Sequence, residues 1–130
     1  MRLAFLSVLL LTVFVACKKA TPEFTFPQQI GDWKLAANKP ENPTIEHTTR
    51  IEALVSKGAT YRMNDAELIV EHHMMGSPAE ALAAEQRWTP EPNTVVFHRW
   101  RSFIVLTWNE PAKDHVNGFV RDFTNILPTE

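Results

Sequence analysis

Two segments of alternating apolar and polar residues, Ala59–Met63 and Ala66–Met74, lie on either side of the dipeptide Asn64-Asp65. Alternation with a period of two indicates β-strands, and a two-residue connection between them indicates a tight hairpin. The turn sets the register, which predicts the pairs Met63 with Ala66, Arg62 with Glu67 and Tyr61 with Leu68. One face then carries Tyr61, Met63, Leu68, Val70, His72 and Met74, and the other carries Arg62, Glu67, Glu71 and His73. Because hairpin strands are antiparallel, we expect an antiparallel sheet.

Two helices are predicted after this hairpin. Ser77 fits an N-cap, with Pro78 at the first helical position and Glu80 completing a capping box, so a helix is expected to about Trp88. A final helix, opened by Pro111 and stopped by Pro128, is predicted by an apolar stripe at helical spacing. The stripe consists of Ala112, Val116, Phe119, Val120, Phe123, Ile126 and Leu127.

The segment before the hairpin has two interpretations. Thr49 and Glu52 fit a capping box and Gly58 fits a helix end, which predicts a short helix over residues 48–57. A strand is the alternative, because Ile51, Ala53 and Val55 also alternate.

Three other segments have strand character: Ile30–Leu35, which contains Trp33, and residues 94–100 and 102–108, which are rich in β-branched and aromatic residues. We therefore predict an α+β fold, a two-layer sandwich with helices packed on one face of an antiparallel sheet of four or five strands. The chain of 130 residues argues for one globular domain, expected over residues 28–130.

The N-terminus predicts export and lipidation. Arg2 precedes an apolar stretch from Leu3 to Ala16 that is too short to span a bilayer and fits a signal peptide over residues 1–16. The stretch ends Phe14-Val15-Ala16-Cys17, which resembles the bacterial lipobox. That resemblance implies a lipid on Cys17 and anchorage on the periplasmic side of a membrane, the outer membrane where the source has one. Residues 17–27 are expected to form the lipidated N-terminus and a tether.

Composition excludes two classes of protein. The net charge is −2 and both signs are mixed along the chain, so the basic stripe that nucleic acid requires is absent from the sequence. There is one cysteine, so an intramolecular disulfide is excluded and the domain must be held by its apolar core.

Two short motifs, Pro27-x-x-Ile30-Gly31-x-Trp33-Lys34 and Met75-Gly76-Ser77-Pro78-x-x-Ala81, resemble those of an uncharacterised family of bacterial exported lipoproteins. Between them, Gly58-Ala59-Thr60-Tyr61 is one residue shorter than the corresponding segment of that family. The resemblance implies no activity, and the motifs also have structural explanations as a strand anchor and a helix cap.

The candidate metal ligands are His72 and Met74, which point the same way on a strand and present imidazole and thioether groups that suit copper. The structural alternative is that Met74 belongs to the core, His72 is a hydrogen-bonded histidine and His73 is solvated. A triad of His98, Asp114 and Ser102 has no nucleophile motif to support it, and we expect no catalytic residues and no cofactor.

A candidate partner surface consists of Trp100, Arg101 and Trp108, an aromatic and basic set that suits a protein partner, a glycan or lipid headgroups. The alternative is an ordinary strand with its arginines in solvent and Trp100 on the core face. The leading functional hypothesis is a non-enzymatic accessory lipoprotein of the cell envelope with a protein partner. The alternatives are a lipoprotein that binds a small ligand and, third, a periplasmic copper or zinc protein using His72 and Met74.

Overall fold

The computed structural model describes residues 23–39 and 45–130. These residues form a six-stranded antiparallel sheet with two α-helices and a 3₁₀ helix. The elements in chain order are β1 (Gln29–Ile30), β2 (Trp33–Lys39), β3 (Val55–Met63), β4 (Ala66–Met74), α1 (Pro78–Arg87), β5 (Thr94–Arg99), β6 (Ser102–Trp108), the 3₁₀ helix (Glu110–His115) and α2 (Val116–Ile126). The strand order in the sheet is β1-β2-β3-β4-β6-β5.

The α+β class with an antiparallel sheet is confirmed, but the sheet has six strands instead of four or five. The additional strand arises because the segment predicted as one strand, residues 30–35, folds back on itself. Gly31 adopts a φ of +56°, a conformation that glycine reaches without a steric penalty, and the chain reverses so that Ile30 pairs with Trp33.

The central hairpin has the predicted register. Met63 pairs with Ala66, Arg62 with Glu67 and Tyr61 with Leu68, and the turn places Asn64 at a φ of 55°. Asparagine tolerates this left-handed conformation better than most residues.

The prediction of a helix over residues 48–57 is wrong. Residues 50–54 have no helical or strand structure, and Val55, Ser56 and Lys57 begin β3 by pairing with the end of β4. Strand β4 extends to Met74, so its last residues have backbone groups that need partners. Residues 55–57 pair with them, and this pairing satisfies the hydrogen-bond donors and acceptors of both segments. The capping box at Thr49 is a local signal, and this tertiary pairing overrides it.

The two helices cover opposite faces of the sheet, whereas the sequence predicted helices on one face. On the α2 face, Phe119 and Phe123 pack on Tyr61, Leu68 and Val70. On the α1 face, a smaller apolar cluster joins Ala81 and Ala84 to Phe103 and Val105. The reason is that β6 is buried on both sides, from Ser102 through Leu106, so each face needs a cover.

The globular domain begins before residue 28, where the predicted tether was expected to end. Phe24 and Phe26 belong to the core on the α2 face, and their side chains contact Phe123. The Tyr61 hydroxyl donates a hydrogen bond of 2.7 Å to the carbonyl oxygen of Pro27, which fixes this segment across the sheet. Aromatic burial therefore makes residues 24–27 part of the fold.

Both predicted helix starts are supported by caps. The Ser77 hydroxyl accepts a hydrogen bond of 3.2 Å from the Glu80 backbone nitrogen, and Pro78 occupies the first helical turn. Before α2, the Asn109 side chain caps the 3₁₀ helix by accepting from the Ala112 nitrogen at 3.3 Å. The final helix therefore starts as 3₁₀ turns and becomes α-helical from Val116.

Candidate functional site

The candidate site is built around a buried carboxylate, Glu71, in the middle of the central strand β4. Its side chain is 1% exposed and lies on the α1 face, next to Val105 of β6. An ionised carboxylate loses several kcal/mol of solvation when it is buried, unless charged or hydrogen-bonding partners replace the water. The partners of Glu71 therefore define the site.

His47 supplies the first partner from the segment that precedes β3. Its Nε2 lies 2.6 Å from Glu71 Oε2, and its Nδ1 lies 3.2 Å from Glu91 Oε2. The imidazole is 5% exposed and packs edge-on against Trp88 at 5.0 Å between ring centroids. A neutral imidazole donates from one nitrogen only, so both contacts are hydrogen bonds only when the ring or one carboxyl carries an additional proton.

His73 approaches Glu71 from the other side along the same strand. Its Nε2 is buried, has no hydrogen-bond partner among the residues that the structure describes, and lies 3.7 Å from Glu71 Oε1. Its Nδ1 lies 2.7 Å from the Ser56 hydroxyl, directly across the β3–β4 pair. A buried polar atom without a partner is uncommon in folded proteins and requires an explanation.

An open pocket of about 330 Å³ lies over these groups. Its wall combines His47, Glu71 and His73 with the segment that precedes β3; the remaining lining residues are Ile45, Glu46, Thr49, Arg50 and Ile51. The volume is at the lower end of the range for small-molecule sites. His73 and Glu71 are therefore the polar side chains that β4 contributes to the pocket wall, and the His73 Nε2 atom is itself buried.

The sequence missed this site. It assigned His73 to solvent, whereas His73 is 5% exposed. The alternation of β4 correctly places Glu71 and His73 on the face opposite Leu68. Nothing local to β4 indicates that α1 and residues 45–54 cover that face.

His72, the predicted metal ligand, lies on the opposite, α2 face. Its Nε2 lies 2.8 Å from the Ser102 hydroxyl, and its ring stacks on Phe24 at 4.3 Å between centroids and 9° between planes. Burial, together with the nearby charges of His73 and Lys57, lowers the pKa of His72 to about 3. His72 is therefore a neutral, packed side chain at physiological pH.

Met74 is 1% exposed and belongs to the core, which is the structural alternative given for it. Of the triad residues, Ser102 bonds to His72, whereas His98 contacts Glu85 of α1 through its Nδ1. In residues 23–39 and 45–130, no group of three or more His, Cys, Asp and Glu side chains is arranged to hold a metal ion.

The structure brings together two of the three residues of the predicted partner surface. Trp100 and Arg101 form the β5–β6 turn, with the Arg101 guanidinium 5.3 Å from the centroid of the Trp100 ring. Trp108 lies at the other end of β6, about 20 Å away at the usual rise of a strand, and packs against the α2-face core. A partner role for the turn stays a prediction.

Cys17, the predicted lipid attachment site, and the signal peptide lie outside the described residues. Within the described ranges, no helix has both the length and the apolar character needed to cross a membrane. Comparisons with protein-family models, curated proteins and solved structures gave no significant match to this chain. The resemblance to an exported lipoprotein family therefore stays a hypothesis from the sequence.

Proposed function

We propose that this protein is a lipid-anchored, non-enzymatic accessory domain of the cell envelope that binds a small polar ligand over Glu71 and His73. The lipid anchor is supported by the N-terminal sequence ending in Cys17. The ligand is supported by one observation above others: His73 lines an open pocket, and its buried Nε2 has no hydrogen-bond partner among the described residues. A ligand that binds there would supply the hydrogen bond that the folded chain lacks.

The chemistry of the pocket restricts the ligand. Glu71 Oε1 is an acceptor and His73 Nε2 is a donor or an acceptor according to its tautomer, so the ligand must present at least one N–H or O–H group. Glu46 and Arg50 at the pocket wall add one charge of each sign, whereas Ile45 and Ile51 add apolar surface. Small amino acids, polyamines and sugars satisfy these conditions.

The ligand is tested by thermal unfolding of the full-length protein in detergent, against a panel of amino acids, polyamines and sugars. A ligand that binds the native state raises Tm in proportion to its concentration above Kd. We expect the shift to be lost in His73→Leu and kept in His98→Leu. His98 is a matched control, because it also lies between a strand and α1 with a carboxylate neighbour, Glu85, but is not part of the pocket. A ligand-induced shift that survives in His73→Leu contradicts the proposed site.

The anchor is tested separately by mass spectrometry of the mature N-terminus. We expect Cys17 as the first residue with a diacylglyceryl group on its sulfur, and we expect Cys17→Ser to remain unprocessed. A mature chain that begins elsewhere, or with an unmodified cysteine, contradicts the anchor and leaves the ligand site to its own test.

A further inference from the structure

Several structural features that do not belong to the pocket lie together at one end of the sheet. At this end β3 and β6 begin and β4 and β5 finish, and we call it the Trp100 end. The Leu54 nitrogen donates to the Met74 carbonyl oxygen at 2.8 Å, and Arg101 exchanges two hydrogen bonds with Met75, from Met75 N at 2.8 Å and from Arg101 Nε at 2.9 Å. Arg99 donates to the Thr124 carbonyl oxygen, so the last turn of α2 lies at the same end.

The Trp100 end is unusually apolar for a surface. The described chain has four large apolar residues with substantial exposure, and three of them lie here: Leu54 at 58%, Val55 at 38% and Ile126 at 42%. Half-buried Trp100 lies at the tip of the turn. Scattered exposed apolar residues are ordinary, but a concentration of them on one end indicates a contact surface.

Trp100 also has a strained backbone, with a φ of +52°. The left-handed conformation costs about 1–2 kcal/mol for a residue with a Cβ, and glycine or asparagine is the usual solution at such a turn. The hydrogen bonds between Arg101 and Met75 hold the turn in place and therefore maintain this conformation. A large aromatic side chain held there at a steric cost indicates a role for the indole outside the fold.

The chain enters the domain at this same end. Phe24 stacks on His72, two residues before the end of β4, and the Phe24 carbonyl oxygen accepts from Lys57 Nζ at 3.4 Å. From there the chain runs away from the Trp100 end, past Tyr61 to Ile30. Cys17 precedes Glu23 by six residues, which span at most about 20 Å when fully extended. A lipid on Cys17 therefore holds the Trp100 end near the bilayer, and the Asn64-Asp65 turn is at the far end.

We propose that the Trp100 end is a membrane-facing surface, whose occupant is the bilayer that holds the lipid of Cys17. This inference rests on the proposed lipid anchor. Leu54, Val55 and Ile126 contact the boundary between acyl chains and headgroups, and the Trp100 indole lies at the headgroup level, where tryptophan is enriched in membrane proteins.

The charges at this end are of both signs. The cations are Lys57, Arg99 and Arg101, and the carboxylates are those of Glu80 beside Gly76, Glu23 beside Phe24 and exposed Glu52, two residues before Leu54. Arg101 can donate to lipid phosphate while its stem packs beside the indole. The lipid on Cys17 and this surface then form two attachments, which fix the orientation of the domain as well as its location.

The test uses the cysteine content of the chain. Lipidation consumes the thiol of Cys17, the only cysteine, so a single engineered cysteine reports on one position. Full-length Trp100→Cys, Leu54→Cys and Asp65→Cys are reconstituted into phospholipid vesicles and reacted with a fluorescent maleimide, before and after detergent. We expect positions 100 and 54 to react at least about tenfold more slowly in vesicles, because apolar surroundings disfavour the reactive thiolate. Exposed Asp65→Cys, at the far end, is expected to react equally in both and corrects for vesicle orientation.

The outcomes separate the surface from the anchor. If the parent chain does not react with maleimide and the cysteines at positions 54, 65 and 100 react at equal rates in vesicles, the membrane-facing surface is overturned and the anchor is retained. A parent chain that itself reacts with maleimide carries a free Cys17 thiol, which overturns the anchor. Protection of positions 54 and 100 in native membranes that is absent in pure lipid vesicles indicates a protein partner and also overturns the proposal. Leu54→Cys keeps the test valid if Trp100→Cys fails to fold.

Discussion

Replacement of His72 by glutamine should make the stability of this protein less sensitive to acid. His72 is 2% exposed, and burial lowers its pKa from an ordinary value of 6.5 to about 3. The folded state therefore keeps the ring neutral at pH values where the unfolded chain protonates it. Protons that bind only to the unfolded state stabilise that state, so the folded protein loses stability as the pH falls below 6.5.

The magnitude follows from the two pKa values. Above pH 6.5 both states hold His72 neutral and the group contributes no pH dependence. At pH 5, protonation of the unfolded chain lowers the free energy of unfolding by about 2 kcal/mol, and at pH 3, where half of the folded molecules also bind the proton, the loss is about 4 kcal/mol. Glutamine keeps an amide that can bond to the Ser102 hydroxyl, and it does not titrate.

The assay is urea unfolding of the full-length protein in detergent at pH 7.5 and pH 5.0. Each variant is compared with itself at the two pH values, so any constant loss of packing against Phe24 cancels. From pH 7.5 to pH 5.0, the free energy of unfolding of the wild-type protein should fall by about 2 kcal/mol more than that of His72→Gln. His115→Gln is the control, because His115 is exposed on the 3₁₀ helix, and it should behave as the wild type. Equal losses in His72→Gln and the wild type would refute a neutral, buried His72.

Three further predictions concern stability, each measured by urea unfolding at pH 7.5. Phe123→Ala should lower the free energy of unfolding by about 3–5 kcal/mol, because Phe123 is fully buried among aromatic rings. The control on the same helix, Ile126→Ala at an exposed position, should lower it by less than about 1 kcal/mol. Similar losses in the two variants would place Phe123 outside the core. Gly31→Ala should destabilise the fold by about 1–2 kcal/mol because Gly31 has a φ of +56°. Gly118→Ala should stabilise the fold by about 0.5–1 kcal/mol, because Gly118 lies in α2 and an added Cβ would meet open space. A change of the same sign at both positions contradicts these two backbone conformations. Ser77→Ala should cost about 1 kcal/mol through loss of the α1 cap, with Ser77→Asp restoring it, and a neutral Ser77→Ala would show that the cap is dispensable.

Local signals in the sequence were sufficient where the structure depends on neighbouring residues. The pairing of Met63 with Ala66 follows from a two-residue turn and an alternating pattern. The start of α1 follows from Ser77 and Pro78, which act within a single turn of helix. These features need no knowledge of distant parts of the chain, since the interacting groups are only a few residues apart.

The candidate site could not be predicted in the same way. The alternation of β4 assigns Glu71 and His73 to one face of the sheet but does not indicate whether that face is exposed to solvent. Its burial depends on α1 and on His47, which is 24 residues before Glu71 in the chain and reaches it at 2.6 Å. The same limit explains the failed helix over residues 48–57, where pairing with β4 outweighed a capping signal.

The sequence by itself determined the antiparallel sheet, its central register and the helix starts, because turn chemistry, alternation and capping act over a few residues. Only the tertiary structure decided that both faces of the sheet are covered, that Glu71 and the two histidines line one pocket, and that three of the four large exposed apolar residues described share the end at which the chain enters. These properties depend on which distant segments pack together. Packing is set by the combined burial of the whole chain, and no short segment encodes it.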